Sequence, residues 1–129
     1  MSAWRKRALE LFPDLRVEIE PSDATIYAVF FELLPRCREA HDRGDAGELA
    51  KIYGFAEWCF RQKAKDLWNA AGVAFYEHLG DSQATLRAMP KWVKPDIFAE
   101  IQPLLAARMD PSTFEELRKS YGSRRMAPA

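Results

Sequence analysis

Apolar residues recur every three or four positions along most of this chain, the spacing of one face of a helix. Only VEIE, Val17 to Glu20, alternates in the manner of a strand. A first helix is expected from Ala3 to Phe12, stopped by Pro13, with Asp14 to Glu20 as a connector. A second begins at Pro21-Ser22-Asp23, where Ser22 or Asp23 can cap, and runs to about Asp42. It carries Ile26, Phe30, Leu33, Leu34 and Cys37 at helical spacing, and Pro35 should kink it. Gly44 marks its C-terminal stop. A third helix spans about Ala46 to Lys63, and a fourth about Ala64 to Leu79, ended by Gly80. Asp81 to Lys94 reads as mixed, with one helical turn before MPKWVKP. A fifth helix opens on Pro95, a favoured first position, and carries Ile97, Phe98, Ile101, Leu104 and Leu105. A sixth starts at Asp110-Pro111-Ser112, carries Phe114, Leu117 and Tyr121, and is expected to end at Gly122.

The pattern predicts an all-α fold of about six helices in antiparallel pairs. Two short echoes suggest how the pairs repeat. Val29 and Phe31 return as Val73 and Phe75, and Phe55-Ala56-Glu57 returns as Phe98-Ala99-Glu100. Helix pairs recurring at about 40 to 47 residues are the signature of HEAT and armadillo arrays, so a short right-handed HEAT-like stack is expected. The 129 residues fit a single domain over 1–129. Within it, 1–13 form an N-terminal helix, 21–122 the core and 123–129 a flexible tail.

Composition narrows the function classes. Nineteen basic and nineteen acidic residues give a net charge of zero, which argues against nucleic-acid binding, where a basic face must neutralise phosphates. No run reaches the length of a membrane span. The N-terminus lacks a secretory h-region, so a cytoplasmic location with Cys37 and Cys59 reduced is expected. Two Cys and two His are too scattered for a structural zinc site, so no metal ligand is assigned. No cofactor is expected, since HExxH, a Ser-His-Asp order and a glycine-rich phosphate loop are all missing.

The stretch FAEWCFRQ places Glu57, Trp58 and Cys59 side by side. On a helix, Leu49, Ile52, Tyr53, Phe55, Ala56, Cys59 and Phe60 fill one apolar arc of about 160°. Cys59 is then a core thiol rather than a nucleophile. Glu57 faces Arg61 one turn on, away from Cys59. Trp58 lies off the arc, either against a second packing layer or on a partner-binding surface. On the fourth helix, Leu67, Trp68, Ala71, Ala74, Phe75, His78 and Leu79 form the apolar face. His78 there is a core histidine, or the weak catalytic candidate if Glu77 or Glu57 serves it. His41 is placed to cap the second helix. Gly72 lets a neighbour approach closely, while Asn69 and Tyr76 share one side. Trp92 is a further candidate anchor.

The run IYGFAEWCFRQKAKDLWNAAGVAFYEHL, followed by PKWVKPDIFAEIQPLL, resembles a group of small bacterial all-helical proteins of unknown function. The resemblance implies an uncharacterised helical domain and assigns no catalytic residue. Some proteins of similar shape are toxin-neutralising immunity proteins, though the acidic excess usual for that role is missing here.

These observations lead to a protein-binding or adaptor module, with Trp58, Asn69, Tyr76 and Trp92 as binding residues and a protein as partner. Oligomerisation stays open. The alternatives are an immunity-type protein and a small enzyme using His78 with a carboxylate.

Overall fold

A computed structural model describes residues 1–126, and in them the fold is all-helical. There are eight α-helices among the described residues rather than about six: α1 (Ala3–Leu11), α2 (Arg16–Ile19), α3 (Ile26–Arg43), α4 (Ala46–Phe60), α5 (Lys65–Ala70), α6 (Gln83–Trp92), α7 (Pro95–Arg108) and α8 (Pro111–Met126). The two additions come from segments read as connector and as mixed structure. VEIE is helical, with a 3₁₀ turn at Pro13–Leu15 ahead of α2. Pro90, within the segment read as mixed, sits inside α6 near its end. Past Gly122, α8 continues to Met126, and the rest of the expected tail, 127–129, lies outside the described residues.

Local chemistry explains the boundaries. Thr25, not Ser22 or Asp23, caps α3 by accepting from Ala28 N at 3.2 Å. Asp45 caps α4 through Glu48 N at 3.1 Å, and Ser82 caps α6 through Thr85 N at 3.4 Å. Such a cap satisfies one of the amides that a helix start leaves without an intrahelical partner. Gly44 closes α3 at φ 68°, a left-handed backbone open to glycine at little cost. The expected fourth helix changes its winding. After Ala70 it passes into a π turn over Ala71–Phe75 and then a 3₁₀ stretch over Tyr76–Asp81.

Packing divides the chain into two compact units, Met1–Phe75 and Tyr76 onward. In the first, buried rings form a continuous chain. Phe12 meets Phe55 edge-on at 5.9 Å, Phe55 meets Phe30 at 5.6 Å, Phe30 meets Phe75 at 5.8 Å, and Phe75 meets Tyr53 at 5.7 Å. Such pairs add a favourable geometric term to the burial of large apolar surface.

Two arginines fasten the edges of this unit. Arg36 pairs with Glu48 at 2.5 Å and Asp14 at 2.7 Å, with its guanidinium over the Phe12 ring at 5.4 Å. Arg5 reaches four backbone carbonyls from the last residue of α2 onward: Ile19 at 3.1 Å, Pro21 at 3.3 Å, Ser22 at 3.3 Å and Ala24 at 2.7 Å.

In the second unit, Leu79, Met89, Val93, Ile97, Phe98, Ile101, Leu105, Leu117 and Tyr121 make the core. Tyr121 stacks on Phe98 at 3.9 Å, and its hydroxyl is shared between Met89 O at 2.9 Å and Val93 O at 2.8 Å. That one side chain ties α8 to the end of α6. The buried Thr85 hydroxyl donates to Leu79 O, so a polar group enters the core with its bond made.

The two sequence echoes fare differently. Phe55 and Phe98 are both buried, on α4 and α7. Phe31 is 63% exposed while Phe75 is fully buried, so that pair occupies unlike surroundings.

Candidate functional site

The FAEWCFRQ side chains separate as helical geometry requires. Cys59 is fully buried, and burial pushes its thiol up to about 12. Cys37, also buried, is pushed up to about 11 for the same reason, with the Tyr53 hydroxyl pulling slightly the other way. Both are protonated at neutral pH, and a thiol rather than a thiolate is a poor nucleophile. Glu57 pairs with Arg61 at 3.1 Å.

Trp58 is half-buried. It stacks on Phe55 at 6.5 Å, and the Arg7 guanidinium of α1 lies over its ring at 4.6 Å. Trp58 thus contacts both its own helix and α1.

The changed winding after Ala70 revises the other candidates. A π turn takes in an extra residue, so positions beyond it rotate away from where a uniform 100° step would put them. Tyr76, expected beside Asn69 as a surface residue, is 1% exposed and presents no surface to a partner. Trp68 lies ahead of the change, in the regular part of α5, and is 39% exposed although expected on the apolar face. His78 is moved off the buried face, its side chain 26% exposed. Asn69 is half-buried and donates from Nδ2 to the Tyr27 hydroxyl at 2.7 Å, which fixes α5 against the first turn of α3. Trp92, in the second unit, is half-buried with Lys91 Nζ at 5.7 Å from its ring.

His78 has a carboxylate partner, but it is Asp81, from Oδ2 to Nδ1 at 3.0 Å. Glu77 is farther from the other nitrogen, at 3.7 Å. Asp81 also takes Arg108 of α7 at 2.8 Å. Burial is the largest single influence on the Asp81 carboxyl and pushes it up, but the Arg108 guanidinium and the His78 imidazole together outweigh it and hold the group below its ordinary value. The same carboxylate therefore fastens the turn after Leu79 to the end of α7. His41 does not cap α3 through its ring: Nε2 meets the Tyr53 hydroxyl at 2.8 Å. Burial lowers its pKa, partly opposed by Asp42. No group of three or more His, Cys, Asp or Glu among the described residues could hold a metal ion.

A surface that the sequence reading passed over stands out in the first unit. Tyr27, Phe31, Leu34 and Arg38 lie at i, i+4, i+7 and i+11, one stripe along α3 beside its buried face. Phe31 is 63% exposed and the other three are half-buried. Arg38 Nε is shut off from solvent with no hydrogen-bond partner among the described residues. Trp68 is exposed on α5, next in the chain to the Asn69 that binds Tyr27. The available signal was Phe31 itself, a large ring outside the arc of Ile26, Phe30, Leu33 and Cys37.

Residues 5–107 match the family described as "Domain of unknown function (DUF7674)". The chain belongs to that family. The match bears out the resemblance to small helical proteins of unknown function. The DUF7674 region runs from α1 into α7 and includes Tyr27, Phe31, Arg38 and Trp68, while α8 lies beyond it. No curated protein and no solved structure matches this chain. Among the described residues, no helix of this DUF7674 protein is long and apolar enough to cross a membrane.

Proposed function

We propose that this chain is a cytoplasmic protein-binding module whose contact surface is the outer stripe of α3. The observation that carries the reading is Phe31, a large ring 63% exposed in the middle of an eighteen-residue helix. An isolated exposed apolar residue is ordinary, but here it stands in line with Tyr27 and Leu34 and near an exposed Trp68. Aromatic residues at helical spacing are the anchors that protein interfaces use. Trp58, with Arg7 across its ring, takes a supporting part, and Asn69 holds Tyr27 in place.

The stripe lies on α3, which joins α4 through the Gly44 turn. Helix pairs of this kind are the unit from which a HEAT-like scaffold would be assembled. Toxin neutralisation is one form that such binding takes. A hydrolytic role for His78 has the Asp81 contact in its favour, but Arg108 competes for that carboxylate.

The test is a photo-crosslinking amino acid placed at position 31 in the native host, with position 10, exposed on α1, as control. A discrete adduct from 31, lost when Trp68 is also changed to Ser, is expected. Absence of any adduct specific to 31 would refute the reading.

A further inference from the structure

The stripe on α3 carries chemistry beyond apolar contact, and Arg38 supplies it. Other arginines of this unit have partners: Arg5 the carbonyls from Ile19 onward, Arg16 Glu20, Arg36 Glu48 and Asp14, Arg43 Glu39 and Asp45, Arg61 Glu57, and Arg7 the Trp58 ring. Arg38 is different. Its Nε is enclosed and unbonded among the described residues, although the residue as a whole keeps part of its surface open. Nε alone of its nitrogens is both enclosed and unbonded, which leaves the Nη groups as the donors that a partner can reach. A carboxylate accepting from both Nη groups makes charge-assisted hydrogen bonds stronger than those to water.

The acids of α3 do not fill this role. Glu39 is taken by Arg43, and Glu32 points to the opposite side of the helix. Asp42 lies one turn beyond Arg38 and is exposed, but makes no ion pair with it among the described residues.

Resting on the protein-binding reading above, we infer that the α3 stripe receives an acidic amphipathic peptide segment, with apolar side chains on Tyr27, Phe31 and Leu34 and a carboxylate on Arg38. The charge of the stripe selects among occupants. A single cation is too little for a nucleic-acid backbone, where affinity grows with the number of phosphates neutralised. It is also too little for an anionic bilayer, which draws on Lys/Arg-rich faces. One fixed guanidinium beside a row of apolar contacts suits one carboxylate beside a row of apolar side chains. The i, i+4, i+7 and i+11 positions extend over about 16 Å at 1.5 Å per residue, so a segment of about three helical turns spans them.

The experiment is selection of a random twelve-residue peptide library displayed on phage against the full chain, run in parallel on wild type, Arg38→Gln and Phe31→Ser. Circular dichroism melts of each variant establish folding first. For wild type, enriched peptides should combine aliphatic or aromatic residues at helical spacing with Asp or Glu. Arg38→Gln should keep the apolar pattern, lose the acidic enrichment, and bind the wild-type peptides at least tenfold more weakly. Phe31→Ser should lose enrichment altogether.

If Arg38→Gln selects the same acidic peptides, the assignment of the carboxylate falls while the docking surface stands. If Phe31→Ser enriches the same peptides as wild type, both fall. Wild type enriching nothing, or enriching basic peptides, overturns the acidic-segment assignment outright.

Discussion

Replacing Arg5 with Met removes the guanidinium but keeps most of the apolar stem. Four carbonyls from the end of α2 onward, those of Ile19, Pro21, Ser22 and Ala24, then lose their donor. The bonds to Pro21 and Ser22 are exposed, and water takes the place of the guanidinium there at small cost. Those to Ile19 and Ala24 are part-buried. A hydrogen bond to a charged donor contributes about 1.5–3 kcal/mol when shielded, and about 1 kcal/mol is fitting for each of these half-exposed ones. The expected loss is about 2 kcal/mol in total. Unfolding entropy of about 2.1 cal/mol/K per residue over 129 residues gives about 0.27 kcal/mol/K. The midpoint of thermal unfolding should therefore fall by about 7 °C, read as ellipticity at 222 nm and cross-checked by urea titration. Arg5→Lys is the informative control. An ammonium places a point charge near one or two of these oxygens but cannot fork to four, so it should recover part of the loss. A midpoint for Arg5→Met within 1 °C of wild type, or no difference between the Lys and Met variants, would refute the account of the loop as held by one guanidinium.

Three further outcomes are expected. Gly44→Ala forces a Cβ into the left-handed region at φ 68° and should cost about 1 kcal/mol in urea unfolding, although no atom lies within 4 Å of the added carbon; an unchanged midpoint would show that the turn relaxes freely. Cys37 and Cys59, buried and pushed up to about 11 and 12, should react with a disulfide reagent at pH 8 only as fast as the chain unfolds, with both released together in denaturant; fast labelling of either one in the native state would contradict their enclosure. Burial holds the His41 pKa below its ordinary 6.5, so protons bind the unfolded chain first. Stability should fall as pH drops below 6.5 towards the folded pKa, with a slope of at most about 1.4 kcal/mol per pH unit from this group. His41→Gln should flatten that stretch of the stability curve, and an identical slope in the variant would exclude His41 as its source.

The sequence is legible where a helix keeps a constant step. On α4 the arc read from spacing holds residue by residue: Leu49, Ile52, Tyr53, Phe55, Ala56 and Cys59 are all buried, and Glu57 meets Arg61. On α5 and the turns after it the same reading places Leu67, Ala71, Ala74, Phe75 and Leu79 correctly in the interior, and misplaces Trp68, Tyr76 and His78. Beyond Ala71 the hydrogen bonds shift from i+4 to i+5 and then to i+3, and nothing in composition announces that, since Gly72 is compatible with any of the three. Tyr76 and His78 exchange surroundings as a result. Short helices fail for a different reason. Four residues of α2 show no period, and VEIE satisfies a strand pattern equally well. Arg5 binds the Ile19 carbonyl at the end of α2 and the chain after it as far as Ala24, from fourteen to nineteen residues away, and no local pattern encodes that.

The α3 stripe proposed as the contact surface is invisible to apolar arcs alone. Sorting residues by the face they fill gives each ring on the buried arc an explanation and leaves the others as noise. Trp58 was noticed because its neighbours were chemically suggestive, yet its ring is covered from within by Phe55 and Arg7. Phe31 had unremarkable neighbours and is the ring left open. The residues to follow in such a chain are therefore the large apolar ones that fall off the arc, taken together with any cation in line with them. In α3 that rule picks out Phe31 and Arg38, because Arg36 already has two carboxylates and Arg43 is held at the helix end. An exposed ring alone would fit many partners. On the proposal above, the Arg38 guanidinium in the same stripe narrows them to those that bring a carboxylate.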